Sequence, residues 1–148
     1  MKKNEITNLV LETFKITNVE KISSDEIVSI IEDFYFFEFD DLINFIGCVF
    51  SFLLENGVQG IFNIDEMILF FDFSKDDGDD EYFQRCQLDL FNKFDKNQSL
   101  VICYFFNWLK SLPSMKASDH IVKPVLEVWR KKCLDEKCVE ELNQNFEF

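Results

Sequence analysis

Two runs in this 148-residue chain begin like calcium-binding loops: Asp72-Phe73-Ser74-Lys75-Asp76-Asp77-Gly78 and Asp95-Lys96-Asn97-Gln98-Ser99. A helix–loop–helix calcium site draws its oxygens from alternate positions. It turns sharply at a glycine in position six and closes with a bidentate glutamate at position twelve. Counting from Asp72, the glycine falls at position seven and Phe83 at twelve. Counting from Asp95, Leu100 and Phe106 take those two places. Both runs lack the residues that shape the loop. Helix caps and turns are the expected roles of their aspartates, and no metal site is predicted.

Other chemistry is weaker still. The chain has one histidine, His120, and five cysteines: Cys48, Cys86, Cys103, Cys133 and Cys138. Cys133 and Cys138 stand five apart with no second pair, so zinc-ligand spacing is missing. A Cys–His nucleophile would have to use His120, and no sequence feature positions it. The odd cysteine count argues against a disulfide framework and for a reducing compartment. Cys48, Cys86 and Cys103 fall in apolar helical patterns and are predicted as small core residues. With 28 carboxylates in the chain, any acid–base pair is uninformative. No glycine-rich phosphate loop is present, so a nucleotide has no support. The reading is of a protein that is not an enzyme, with no cofactor and no small-molecule substrate.

The carboxylates matter as a group. Residues 22–81 hold sixteen acids and one base, Lys75, for a net charge of −15. The rest of the chain holds twelve acids and fourteen bases, so nearly all of the overall −13 sits in one block. That block also contains eleven of the nineteen phenylalanines, so it belongs to a folded body and not to a solvated tail. Merely soluble surfaces mix both signs, because unrelieved like charge destabilises the compact state. Such a charge repels nucleic acid and anionic lipid and attracts a cationic protein.

The elements that must position these groups read as helices. Residues 5–15 space Ile6, Leu9, Val10 and Phe14 at helical intervals. Ser23 and Glu26 have capping-box spacing and open a second helix. Its stripe of Ile27, Ile30, Ile31, Phe34 and Phe37 predicts that the aromatic run 34–39 continues as helix. Asp40 is the predicted N-cap of a third helix over 40–55, apolar all round, central, and ended by Gly57. Asn63 is the predicted cap of a fourth over 64–71, and a two-stranded ribbon over 58–64 is an alternative there. An exposed loop over 74–81 leads to a fifth helix over 81–94, striped by Phe83, Cys86, Leu90, Phe91 and Phe94. Asp95 or Asn97 caps a sixth helix that stops at Pro113. Pro124 is placed in the first turn of a seventh, whose Val125, Val128, Trp129 and Cys133 face inward. The fold class is all-α, a single compact bundle of about six to seven helices over residues 1–148.

Residues 42–54 form the longest apolar run and still include Asn44 and Ser51. That run is short of the ~20 residues that span a bilayer. Lys2 and Lys3 are followed by Asn4, Glu5 and Thr7, where a secretory signal needs an apolar stretch. A cytoplasmic location and no membrane contact are therefore predicted. Abundant Phe, Ile, Asn and Lys, with one Ala and two Arg, point to an AT-rich gene of bacterial, phage or mobile-element type.

In this general character the whole chain resembles the immunity proteins of bacterial toxin–immunity pairs. More narrowly it is similar to helical immunity proteins of contact-dependent growth inhibition systems. Phe34-Tyr35-Phe36-Phe37, the long helix from Asp40 and the late helix around Val125 and Trp129 carry the likeness, and no functional residue is carried over by position. The resemblance implies binding, inside the cell, of a cognate toxin domain, often a basic nuclease. Neutralisation would come from occluding its active site or substrate groove. The residues expected to meet the partner are Glu32, Asp33, Tyr35, Phe36, Glu38, Phe39, Asp40, Asp41, Asp76, Asp77, Asp79, Asp80, Glu81 and Tyr82. A phage-type DNA mimic that inhibits a nucleic-acid-binding protein is the alternative, and a small hydrolase the second.

Overall fold

Ser23 closes a capping box with Glu26. Its hydroxyl accepts the Glu26 amide at 3.2 Å, and the Glu26 carboxylate accepts the Ser23 amide at 3.4 Å. Asp95 and Gln98 exchange the same pair of bonds at 2.8 and 2.9 Å. These contacts satisfy N–H groups that a helix start otherwise leaves without partners. The computed structural model describes residues 2–14, 16, 22–74 and 81–135. Among them the fold is all-α. Its helices are α1 (Lys3–Thr13), α2 (Ser24–Glu32), α3 (Phe39–Asn56), α4 (Ile64–Phe70), α5 (Glu81–Lys93), α6 (Lys96–Ser111) and α7 (Asp119–Asp135), with 3₁₀ turns at Phe34–Phe36 and Pro113–Ser118.

The core is strongly aromatic. α3 buries Leu42, Ile46, Val49, Phe50, Leu53 and Leu54 against α1, α2 and α6. Phe50 lies flat on Phe105 of α6, with ring centroids 3.7 Å apart and planes 6° from parallel. The sequence predicts α3 as the central helix, but α6 shares that place. Val101, Ile102, Cys103, Tyr104, Phe105 and Phe106 are all buried, covered by α7, α1 and α3. Gly47 lets α3 approach the end of α1. A β-carbon there would stand 2.7 Å from both Phe14 Cβ and Ile16 Cδ1. Gly57 ends α3 at φ 75°, where glycine alone is free of strain, and its amide donates to the Leu53 carbonyl at 2.8 Å.

Several local expectations are corrected. Asp40 is not the N-cap of α3. Glu38 holds that position in extended backbone and makes no side-chain cap bond, while Asp40 and Asp41 occupy the first turn. Asn63 holds the N-cap position of α4, as expected, but its side chain makes no cap bond. Its side-chain amide is buried and donates instead to the Val28 carbonyl at 2.9 Å, tying α4 to α2. Residues 58–63 form turns and not a ribbon. Cys86 is exposed, Cys48 half-buried, and only Cys103 of the three is core. Pro124 lies inside α7, because the preceding 3₁₀ turn runs directly into the helix through Asp119. An interior proline costs about 3 kcal/mol. Burial of Val122, Val125, Leu126 and Trp129 offsets this, at about 1.5–3 kcal/mol for each large apolar side chain. Among the described residues no helix is long and apolar enough to cross a membrane.

Candidate functional site

The aromatic run after α2 does not continue the helix. α2 ends at Asp33, and the Phe36 amide donates to the Asp33 carbonyl at 2.9 Å in a 3₁₀ turn. Four successive aromatics would each lose side-chain freedom against the preceding turn of an α-helix. A short turn that gives way to extended backbone at Phe37 separates them instead. Phe34 drops into the core, 5.0 Å from Phe70 and 6.3 Å from Phe71. Phe37 stacks on Phe45 of α3 at 4.3 Å. Tyr35 and Phe36 are turned outward, 61% and 83% exposed.

On either side of those two residues in the chain, Glu32, Asp33, Glu38, Asp40 and Asp41 are all exposed. Asp40 and Asp41 occupy the first turn of α3, where the helix dipole favours a negative charge. Glu32 and Asp33 occupy the opposite situation. They close the C-terminal end of α2, which is already partially negative and would be served by a lysine. Folding alone gives no reason for acids there.

Phe39 departs from expectation. It is half-buried, edge-on to Phe94 at 5.3 Å, with Lys93 Nζ 5.9 Å from its ring centroid. The first residue of α3 thus lands over the junction between α5 and α6 and works as a packing contact. Lys93 also brings a cation beside the acidic block, which its sequence neighbours do not.

Glu81 and Tyr82 open α5, and both are exposed, Tyr82 by 79%. α5 itself contributes no fully buried residue. Its C-terminal half is held. Phe91 stacks on Phe73 at 5.0 Å and meets Trp129 edge-on at 4.9 Å. Lys132 is buried and donates to the Phe94 carbonyl at 2.7 Å and to the Ser99 hydroxyl at 2.9 Å, placing a cation at the negative end of α5. The rest of the helix is less covered, and Tyr82, Phe83 and Leu88 remain exposed. Beneath it runs a groove of about 450 Å³. One wall is Tyr35, Leu69, Asp72, Phe73 and Ser74, and the other is Phe83, Gln84, Gln87, Leu88 and Phe91. The Asp72 carboxylate accepts both the Ser74 amide, at 3.1 Å, and the Ser74 hydroxyl, as a turn acceptor. Asp95, which heads the other calcium-like run, caps α6.

The structure therefore brings Glu32, Asp33, Tyr35, Phe36, Glu38, Asp40 and Asp41 into one segment. Through Tyr35 that segment reaches the groove walled by α5, whose first turn carries Glu81 and Tyr82. Asp76, Asp77, Asp79 and Asp80 lie outside the described residues. Sequence reasoning missed Leu69 and Leu88 and took Phe83 for core. The signal was present in α5 itself, whose many polar residues leave an apolar face too narrow to be buried. Phe62, 80% exposed, stands apart from the groove lining.

Reactive groups are sparse. Burial pushes the Cys48 thiol up, which keeps it protonated and unreactive at neutral pH. Cys103 and Cys133 approach to 3.7 Å in the buried seam between α6 and α7. His120 is exposed at the start of α7. Among the described residues no three His, Cys, Asp or Glu side chains gather where they could share a metal ion. The arrangement suits recognition by charge and apolar contact. Comparison with family models, with curated proteins and with solved structures finds no match to this chain.

Proposed function

We propose that this chain is an immunity-type inhibitor that binds a cationic partner protein, in the first place a basic toxin domain such as a nuclease, and neutralises it by covering its active site or substrate groove. The observation that carries the reading is residues 32–41, where five exposed carboxylates flank exposed Tyr35 and Phe36 along the chain. The acids at the end of α2 oppose the helix dipole, so they cost folding energy and are accounted for by what they bind. Carboxylates steer a basic partner in, then form charge-assisted bonds to its lysines and arginines. Tyr35 and Phe36 supply the desolvated contacts that slow dissociation. Binding takes place in the cytoplasm, needs no cofactor and involves no catalysis by this chain.

The test is affinity for the basic C-terminal domain encoded by the gene immediately upstream, measured from about 0.05 to 0.5 M salt, which shortens the screening length severalfold. Nanomolar binding at low salt that weakens at least about tenfold at high salt, mainly through association rate, is the expected result. Absence of binding at low salt would end the reading.

A further inference from the structure

We infer that the groove between α5 and the Tyr35–Leu69 wall is the seat of a basic amphipathic helix supplied by the partner. This rests on the inhibitor reading above and names the part of the surface that grips.

The groove is apolar where it opens. Tyr35, Leu69, Phe83 and Leu88 converge on it and are 61, 39, 38 and 57% exposed, far more than the core side chains nearby. Four large exposed side chains around one cavity form an apolar contact surface, unlike single apolar residues scattered over a protein. Its volume, about 450 Å³, suits a few large side chains.

Charge selects the guest. Asp72 lies in the wall, and Glu32 and Asp33 precede Tyr35. Glu66 shares the exposed side of α4 with Leu69, one helical turn away. All of these except half-buried Asp72 are exposed. Arg85 is the cation on the same stretch of α5. A guest whose apolar stripe is flanked by lysine or arginine matches this rim. A second cavity of similar size also touches Phe91, but Lys131 and Lys132 line it beside a single acid, Asp135, so it offers no such match.

Shape selects a helix. Every regular element among the described residues is helical, so no sheet edge is offered to an extended segment. The walls are helix and turn, and a guest helix lays side chains at i, i+3 and i+4 into such a trough.

The probe is a synthetic helix of about eighteen residues with leucine on one face and lysine on the other. A second peptide carries glutamate in place of lysine. Titrations use the full chain, its Leu88→Lys and Leu69→Lys variants on opposite walls, and Phe62→Ala as an exposed aromatic outside the groove. Thermal melts followed by circular dichroism verify that each variant is folded. The leucine–lysine peptide is expected to bind, and each wall variant to weaken it by about tenfold or more, the scale of an interface hot spot. Phe62→Ala is expected to change nothing, and the leucine–glutamate peptide not to bind. Equal affinity of the lysine peptide for wild type and both wall variants would overturn the inference, as would a matching loss in Phe62→Ala. The same variants titrated with the upstream toxin domain separate the two ideas. A toxin that binds all forms alike leaves the inhibitor reading standing and removes the groove. A peptide that needs both walls, when the toxin binds no form of the chain, removes the toxin and keeps the groove.

Discussion

Trp129→Ala is expected to lower folding stability by about 3–5 kcal/mol, the range for emptying a large aromatic site in a core. Trp129 is fully buried. Its ring is met by Phe71, Phe73, Phe91 and Phe94 at centroid distances of 6.2, 5.9, 4.9 and 5.2 Å. Its indole N–H donates to the Phe71 carbonyl at 2.9 Å. Alanine therefore leaves a cavity and removes one of the two hydrogen bonds that the Phe71 carbonyl accepts, the other coming from the Phe73 amide at 3.1 Å. Total stability of a domain this size is about 5–15 kcal/mol, so the variant is marginal. Urea unfolding measures the loss, and the melting temperature is expected to drop by about 10 °C or more. A loss under about 1 kcal/mol would mean that this core is not packed as described. Because Phe91 and Phe94 lean on the indole, the same substitution should loosen α5 and with it one wall of the groove.

Phe50→Ala is expected to cost a similar amount, about 3–5 kcal/mol. Phe50 joins different elements. It stacks on Phe105 at 3.7 Å and meets Phe14 and Phe106 edge-on at 5.9 and 6.0 Å, so it ties α3 to α6 and to the end of α1. It also reaches Phe71 at 5.6 Å, and Phe71 is the ring that Trp129 touches from the other side. Two deletions that share a neighbour do not act independently. The double variant is expected to lose less than the summed single losses, by at least about 0.5 kcal/mol in a double-mutant cycle. Strict additivity would show that Phe71 does not transmit packing between the two halves of the core.

Local chemistry was the legible part of this chain. The Ser23–Glu26 capping box, the Asp95 cap, the Gly57 stop and the Pro113 boundary each depend on residues within a turn of one another, so their spacing is sufficient. The all-α class followed from the same periodicities. What failed depends on distant partners. The stripe through Phe34 and Phe37 is compatible with an α-helix, but Phe70, Phe71 and Phe45 reward a short 3₁₀ turn followed by extended backbone at Phe37, which parts the two rings. Asn63 has the right type for a cap and is drawn away by the Val28 carbonyl. Pro124 was placed by its ring chemistry, while buried side chains of α7 decided the outcome. Periodicity also says which residues share a face without saying whether anything covers it. For that reason the periodicity predicts Phe83 and Cys86 as core, and both are exposed. Phe39 failed in the opposite direction, because α5 and α6 meet beneath it.

The central claim is that the carboxylates beside Tyr35 and Phe36 are there to meet a cationic protein. Glu32→Lys combined with Asp33→Lys separates that purpose from folding, since lysine suits the end of α2 better than the native acids. The decisive measurement is the association rate and affinity of this double variant for the upstream basic domain at low salt, beside its melting temperature. The account expects association slowed by about tenfold or more, with thermal stability unchanged or raised. Undiminished affinity in a folded double variant would contradict it.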